Sequence, residues 1–123
     1  MKRWGVKRIL AMGTSSIADE QDGFSIIAFL GVTLVYMFAN SAYNNIVSVG
    51  KLFDTKATKD GLDWTIFRLG FLGNGAPQSC KAGYVGRNGW KMKNQRADIA
   101  TWLVDGIEND ESEWIEKKPA IWS

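Results

Sequence analysis

Residues 61–70 constrain the fold of this chain more than any other segment, because a helix stop is followed directly by a short apolar strand. Gly61 can adopt the left-handed conformation that closes a helix. A strand is predicted over residues 64–69, whose aromatic and β-branched side chains suit a packed, pleated surface. A helix, a glycine and a strand in this order predict the second half of a βαβ unit, in which helices cover a parallel sheet.

The segment before this glycine predicts one strand and one long helix. The strand is expected over residues 6–12 and is followed by a polar loop. The helix is expected over about residues 24–57. Breaks are predicted at Asn40, Asn44 and Asn45, because asparagine side chains compete for backbone hydrogen bonds.

The segment after the central strand predicts three further elements. An Asn-Gly pair at 88–89 lies between aromatic-bearing runs at 83–86 and 90–93, which is a strong signal for a small β-hairpin. A last helix is expected to begin near Asn94, a good capping residue. A final strand over residues 119–122 would close the sheet.

Two side-chain contacts follow from this layout. Either Asp22 or Ser25 could cap the long helix. Arg68 lies in the central strand, so we expect it to cover the sheet edge or to pair with a carboxylate such as that of Asp98. Both contacts are expected to be structural rather than catalytic.

The composition predicts one globular domain over residues 1–123. The chain is 46% hydrophobic and 23% charged, with a formal net charge of +2. A compact fold of this length buries roughly 65% of its extended-chain surface, which is enough for one core. A charge balance this even does not indicate nucleic-acid binding.

The cysteine and histidine counts exclude several kinds of site. Cys80 is the single cysteine and can form no internal disulfide, which favours a reducing compartment and a cytoplasmic location. The chain has no histidine, which excludes Ser-His-Asp catalysis and removes the usual zinc ligand. No metal site is therefore expected.

An uncharged run over residues 24–50 tests the cytoplasmic assignment. At about 1.5 Å per helical residue, its apolar part approaches the ~30 Å hydrocarbon core of a bilayer. Gly31, Thr33 and Asn40 interrupt the run, and an apolar helix can equally be buried between a sheet and a partner. Membrane association therefore stays an alternative, with the helix spanning the bilayer or lying on it.

Three segments resemble the atypical short-chain dehydrogenases, the NAD(P)-binding relatives that include the NmrA-like proteins. GLDWTIFRLG at 61–70 is similar to the family's ASGLDWTIVRPG, and RADIATWL at 96–103 is similar to its RADLARFL helix. Residues 7–16 look like the family's central strand, which ends in small hydroxyl residues. The resemblance implies an α/β fold with a partial, Rossmann-like parallel sheet. It also implies that this chain corresponds to the carboxyl-terminal half of the family's domain.

The family binds dinucleotide phosphates at a Gly-rich turn near its amino terminus, and this chain has no such turn. Gly70, Gly73 and Gly75 have the reverse spacing, and Pro77 follows where a helix should begin. A flexible loop is the better interpretation of these glycines. The residue that distinguishes NAD from NADP lies in the missing half, so the resemblance implies NAD(P) without choosing between them.

The resemblance also implies catalytic and cofactor-binding residues. In catalytic short-chain dehydrogenases a serine orients the carbonyl, and a lysine four residues after a tyrosine makes that tyrosine a better acid. Here Ser15 and Tyr43 are the candidate catalytic residues, but Val47 stands where the lysine should be. The candidate cofactor-binding residues are Thr14, Ser16, Leu69, Gly70 and Phe71.

The residues and the resemblance together predict an NAD(P)-binding protein of this type that is truncated or weakly active, with catalytic activity left open. The alternative is a non-enzymatic regulatory or membrane-associated protein that uses the apolar helix within residues 24–50 for partner or membrane contact. A parallel sheet without its first strands would expose an unpaired edge. A homo-oligomer, the missing amino-terminal half or another partner chain is therefore expected to cover that edge.

Overall fold

The computed structural model describes residues 2–87, 89–109 and 112–123. The strands in these ranges are β1 (Arg8–Thr14), β2 (Asp63–Leu69), β3 (Phe71–Gly73), β4 (Lys81–Gly83), β5 (Lys93–Gln95) and β6 (Ala120–Trp122). The helical segments are a 3₁₀ turn (Lys2–Trp4), α1 (Ile26–Phe38), α2 (Asn40–Leu52), a π-helical turn (Phe53–Ala57) and α3 (Arg96–Glu108). This order confirms the predicted mixed α/β class.

Four strands form one sheet in the order β1-β2-β6-β4, and β3 and β5 form a separate parallel pair. β1 and β2 are parallel over seven residue pairs, from Arg8 opposite Asp63 to Thr14 opposite Leu69. β6 is parallel to β2, whereas β4 is antiparallel to β6. α1 and α2 lie in the crossover between β1 and β2, which is the predicted βαβ unit. No strand in the described ranges pairs with the outer edge of β1.

Helices cover both faces of β2, which explains why six of its seven residues are buried. Trp64 and Ile66 pack toward α2 and the π-helical turn, whereas Phe67 and Leu69 pack toward α3. The alternation follows from the two-residue period of a strand. Gly61, just before β2, has a φ of +69°, the left-handed conformation predicted for a helix-closing glycine.

The long apolar run folds as two helices that meet at Ala39. The predicted breaks at Asn44 and Asn45 do not occur, because both residues lie inside α2, where Asn44 Nδ2 donates to Asn40 Oδ1 at 2.8 Å. No single helix in the described part of the chain is long and apolar enough to cross a bilayer. α1 and the helical segment Asn40–Ala57 satisfy those criteria only as a pair bent by 117°.

The two predicted helix caps have different outcomes. Ser25 Oγ accepts the N–H of Ala28 at 3.3 Å, so Ser25 caps α1 and Asp22 does not. Asn94 does not cap α3, which begins at Arg96. Asn94 lies in β5 with none of its surface exposed, so tertiary packing overrides its preference for a helix start.

The two segments of the predicted hairpin do not pair with each other. Gly83 belongs to β4, which pairs with β6, and Lys93 belongs to β5, which pairs with β3. Between them, the N–H of Trp90 donates to the carbonyl of Arg87 at 2.9 Å, as in a turn. Asn88, at the centre of the predicted hairpin, lies outside the described residues. The Asn-Gly signal is local, whereas distant strands decide the pairing here.

Candidate functional site

The carboxyl ends of β1 and β2 border a cavity of about 220 Å³. In α/β sheets, ligands bind in the crevice beyond this end of the strands. The lining residues are Thr14, Ser15, Ser16, Ala28, Gly31, Val32, Val35, Ile46, Leu69, Gly70, Phe71 and Met92. Of the seven residues predicted from the sequence, the six from segments 14–16 and 69–71 therefore meet at one cavity.

One wall of the cavity carries the hydroxyl groups of residues 14–16. The N–H of Ser16 donates to Thr14 Oγ1 at 3.2 Å, and the N–H of Ile17 donates to the carbonyl of Thr14 at 3.1 Å. These bonds form a tight turn directly after β1, which places Ser15 at the cavity. The wall offers hydrogen-bond donors and acceptors without charge.

Behind this wall, Arg68 of β2 forms a bidentate ion pair with Asp22. Nη1 lies 2.6 Å from Oδ2, and Nη2 lies 2.8 Å from Oδ1. Arg68 Nη1 also donates to the carbonyl of Ile17 at 2.9 Å, and Nε donates to that of Lys118 at 2.7 Å. Arg68 pairs with a carboxylate, as predicted, but the partner is Asp22 rather than Asp98, because the loop after β1 folds back and brings Asp22 to the guanidinium. The Asp98 carboxylate instead accepts a main-chain N–H from the loop after β3.

Asp22 also connects this loop to the segment after β4. Its carboxylate accepts the N–H of Val85 and the N–H of Asp19, each at 3.0 Å. The adjacent N–H of Gly23 donates to the carbonyl of Val85 at 2.7 Å. These bonds hold residues 15–23 against the sheet, so they indirectly position the hydroxyl wall.

The turn after β2 is tightly packed. The side-chain amide of Asn94 is oriented so that both its oxygen and its nitrogen form hydrogen bonds. The oxygen accepts the N–H of Gly70 at 3.0 Å, and the nitrogen donates to the carbonyl of Ile121 at 2.7 Å. The N–H of Phe71 donates to Met92 O at 3.0 Å. A Cβ at position 70 would lie 2.7 Å from Met92 Cγ, so only glycine fits. The N–H groups of Gly70 and Phe71 are therefore already donated within the protein.

The opposite wall comes from the helices, and the sequence interpretation did not assign it to the site. Its residues are Ala28, Gly31, Val32 and Val35 of α1 and Ile46 of α2. A spacing of three and four residues places the α1 members on one face of the helix. The usable signal was the small pair Ala28 and Gly31, three residues apart within a run of large side chains. Small residues there leave room for a ligand between α1 and the strand ends.

Tyr43, the candidate catalytic tyrosine, does not line this cavity. It is half-buried on α2, and its ring meets that of Tyr36 edge-on with centroids 5.2 Å apart. Val47, where a lysine would assist the tyrosine, is also half-buried. The structure therefore brings Ser15, but not Tyr43, to the cavity.

The chemistry of the lining suits the nicotinamide end of NAD(P) and not its phosphates. Every lining residue is uncharged, with hydroxyl groups on one side and apolar groups on the other, which matches a flat ring that carries a carboxamide. Phosphates need cationic side chains or open helix N-termini, and Ser25 already binds the first-turn N–H of Ala28. The volume of about 220 Å³ is below the ~300–1,000 Å³ of pockets that enclose a drug-sized ligand.

Cys80 lies away from this cavity and packs against the core cluster that contains Phe67 and Leu69. Burial, assisted by the negative charge of Asp98, raises the pKa of the Cys80 thiol to about 11. The thiol is therefore protonated at neutral pH, a form that is a poor nucleophile. No cluster of three His, Cys, Asp or Glu residues suited to a metal ion is found within the described ranges.

Comparison with known proteins agrees with this fold. The chain aligns with the crystal structure of the oxidoreductase ylbE from Lactococcus lactis at a TM-score of 0.65 and 17% identity, covering 99% of this chain and 48% of that chain. This chain thus spans about half the length of that oxidoreductase, and the likeness shows the fold alone. No curated protein matches the sequence.

The family assignment comes from the sequence. A family model described as NAD(P)H-binding matches residues 1–110, which is most of the 123-residue chain. This match supports NAD(P) as the ligand and agrees with the resemblance to short-chain dehydrogenases. The chain therefore belongs to the NAD(P)H-binding family.

Proposed function

We propose that the cavity of this chain binds the nicotinamide end of NAD(P). In this proposal the chain is an NmrA-like member of the atypical short-chain dehydrogenases and corresponds to the carboxyl-terminal half of their domain. The observation that carries the proposal is the meeting of segments 14–16 and 69–71 around one uncharged cavity. Family membership supports the ligand, and the likeness to an oxidoreductase supports the reaction class. The single half-buried Cys80 supports a cytoplasmic location.

Each wall of the cavity has a separate task in this proposal. The hydroxyl groups of Thr14 and Ser16 bind the cofactor, and the carbonyl oxygens of residues 69–71 accept from its carboxamide. Val32 and Val35 cover the ring and exclude water. A bound nicotinamide supplies hydride chemistry, and Ser15 hydrogen-bonds the substrate carbonyl beside it.

Reductase activity is expected to be weak or absent. General acid catalysis contributes typically about 10²–10⁴-fold and needs the acid within hydrogen-bond reach of the reacting group. Tyr43 lies outside the lining, and no lysine stands at position 47 to lower its pKa. The proposed function is therefore cofactor binding rather than efficient catalysis.

The uncharged lining also predicts a preference between the two redox forms. The reduced nicotinamide is neutral, whereas the oxidised ring carries a positive charge. Burying a charge without an opposite partner is unfavourable, and no acidic residue lines the cavity. NADH or NADPH should therefore bind more tightly than its oxidised form.

Thermal unfolding with and without cofactor tests the proposal, with tryptophan fluorescence as the reporter, because Trp64 and Trp122 are buried in the folded chain. NADPH or NADH at about 100 times its dissociation constant should add about 2.7 kcal/mol to the free energy of unfolding, a shift of several degrees. Gly31→Phe should abolish this shift, because the new side chain fills the cavity. Thr33→Phe, on the same helix but outside the lining, should retain it.

If the chain unfolds cooperatively but neither cofactor raises its unfolding temperature, the proposal is contradicted. That result would favour the alternative function, a non-enzymatic regulatory or membrane-associated protein that acts through the apolar helix within residues 24–50. One observation supports this alternative: most of the large apolar side chains of α1 are exposed. Extraction of the expressed chain from membranes by carbonate would argue against a spanning segment.

The outer edge of β1 supports the expectation of a partner. β1 is seven residues long, and no strand of the described ranges pairs with its outer edge. An open parallel edge presents unpaired N–H and C=O groups that another chain can pair with. Strands of an amino-terminal half, of a second copy or of a partner chain would cover this edge.

A further inference from the structure

A second cavity, of about 250 Å³, lies between α3 and the loop at residues 77–80. It shares no residue with the cavity at the ends of β1 and β2. α3 contributes Asp98, Thr101, Trp102 and Asp105, which occupy positions i, i+3, i+4 and i+7 of one helix face. One wall of this cavity therefore has a carboxylate at each end, with a hydroxyl group and an indole ring between them.

The Asp98 carboxylate is buried and only partly compensated. Asp98 is 3% exposed, and its Oδ1 accepts the N–H of Gln78 at 2.8 Å. Its other oxygen, Oδ2, is also buried and has no hydrogen-bond partner among the described residues. Burial of a carboxylate is unfavourable unless hydrogen bonds or an opposite charge compensate it. Because Asp98 lines the cavity, a positively charged ligand there would supply the compensation that the protein does not.

The surroundings of this cavity are negative. Asp105, at the other end of the wall, is exposed, and positions 97–116 contain seven acidic residues and no lysine or arginine. Cys80 also lines the cavity and stays protonated at neutral pH, because burial and the charge of Asp98 raise the pKa of its thiol to about 11. No lining residue carries a positive charge. The cavity therefore favours a cation over an anion or a neutral ligand.

An organic cation fits the lining better than a metal ion does. Protein metal sites typically use three or more side-chain ligands, and the part of the chain that the structure describes has no such cluster of His, Cys, Asp or Glu. Pro77 and Trp102 instead offer apolar surface for a hydrocarbon chain, and an indole face also attracts an ammonium group. Seven helical positions separate Asp98 from Asp105, which is roughly 10 Å along the helix axis.

We propose that this cavity binds a small alkyl diamine, with one ammonium group beside Asp98, the other beside Asp105 and the hydrocarbon chain against Trp102. Each ammonium group has three N–H donors, and the oxygen of Thr101 can accept one of them, because its own O–H donates to the carbonyl of Ala97. A volume of about 250 Å³ is below the ~300–1,000 Å³ of pockets for drug-sized ligands. The size therefore favours a free diamine over a peptide.

Isothermal titration calorimetry of the full chain tests this site, at low ionic strength where charges are least screened. The probes are cadaverine, pentylamine and pentanol, which share one hydrocarbon chain and carry two, one and no ammonium groups. Cadaverine should bind about tenfold more tightly than pentylamine, and pentanol should not bind. The measurement needs no cofactor, so its result is independent of the proposed function.

Two variants and a control assign the binding to the two carboxylates. Asp98→Asn keeps an oxygen for the N–H of Gln78 but removes the charge, and it should weaken cadaverine binding about tenfold or more. Asp105→Asn changes an exposed side chain and should reduce cadaverine to the affinity of pentylamine. Glu108→Gln is the matched control, since Glu108 is exposed on the same helix but outside the lining, and it should leave the affinity unchanged.

Three results would overturn this site. One is cadaverine that binds no more tightly than pentylamine. Another is an equal loss of affinity in Asp105→Asn and Glu108→Gln, which would show a general attraction to the negative surface. The third is a lysine-containing peptide with blocked termini that binds more tightly than cadaverine, which would assign the cavity to a protein partner. If Asp98→Asn does not fold, the comparison of Asp105→Asn with Glu108→Gln still decides.

Discussion

β1 and β2 run side by side over seven residue pairs, but β2 is the centre of the fold and β1 is its edge. Met12 of β1 is 68% exposed, whereas its partner in the register, Phe67 of β2, is 6% exposed. β2 has a neighbour on both sides and a helix over each face, while one side of β1 has no described partner. The difference shows that the strands and helices packed around a strand, more than the strand propensity of its residues, decide how much that strand contributes to the stability of the fold.

The largest effect is expected where β2 carries a buried charge. Asp22→Asn leaves the Arg68 guanidinium, whose side chain is 0% exposed, without an opposite charge, and should lower the free energy of unfolding by about 3–5 kcal/mol in urea titrations. Asp54→Asn is the control, because Asp54 pairs with Lys118 while 46% exposed and should cost less than ~1 kcal/mol. Equal losses would show that the β2 pair is as well hydrated as a surface pair.

A packing comparison between the two strands should give the next largest effect. Ile66→Ala in β2 removes a fully buried side chain from the core cluster and should cost about 2–5 kcal/mol. Met12→Ala in β1 should cost less than ~0.5 kcal/mol, because that side chain is exposed in the monomeric chain. Both values come from the same urea titration. A large loss at Met12 would mean that another chain covers β1 in solution.

The smallest effect concerns the layer that covers β2, and it depends on pH. The Cys80 thiol packs there, and its pKa is raised from 9.0 to about 11, mainly by burial. Between these values the unfolded chain loses the proton while the folded chain keeps it, so stability should fall as pH rises from about 9 to 11. At pH 8, labelling with a disulfide reagent should be about 100-fold slower than in the urea-unfolded chain. Equal labelling rates would show that this layer is open.

Local chemistry was sufficient to predict the centre of the fold. Gly61 has the left-handed conformation that its position required, and β2 begins one residue before the predicted strand. The resemblance placed segments 14–16 and 69–71 at the ends of two strands, and parallel pairing brings such ends together at one edge. These features depend on residue type and chain order, so a single sequence contains them.

Features that depend on distant contacts could not be predicted in the same way. The partner of Arg68 is Asp22 because a loop folds back over the sheet, and nothing near either residue indicates that path. The apolar wall of α1 was missed because a run without charges has no polar side to mark which face is turned inward. Asn94 is a good helix cap by residue type, but the distant Gly70 and Ile121 set its environment.

The register of β1 and β2 also has a kinetic consequence. It joins residues 55 positions apart, as in the pair of Arg8 and Asp63, so a long segment must be ordered before the central pairing is complete. Contacts between distant residues form late and slow folding. During that delay the uncharged stretch 24–50 is exposed, so newly made chains should be most prone to aggregate before β2 docks.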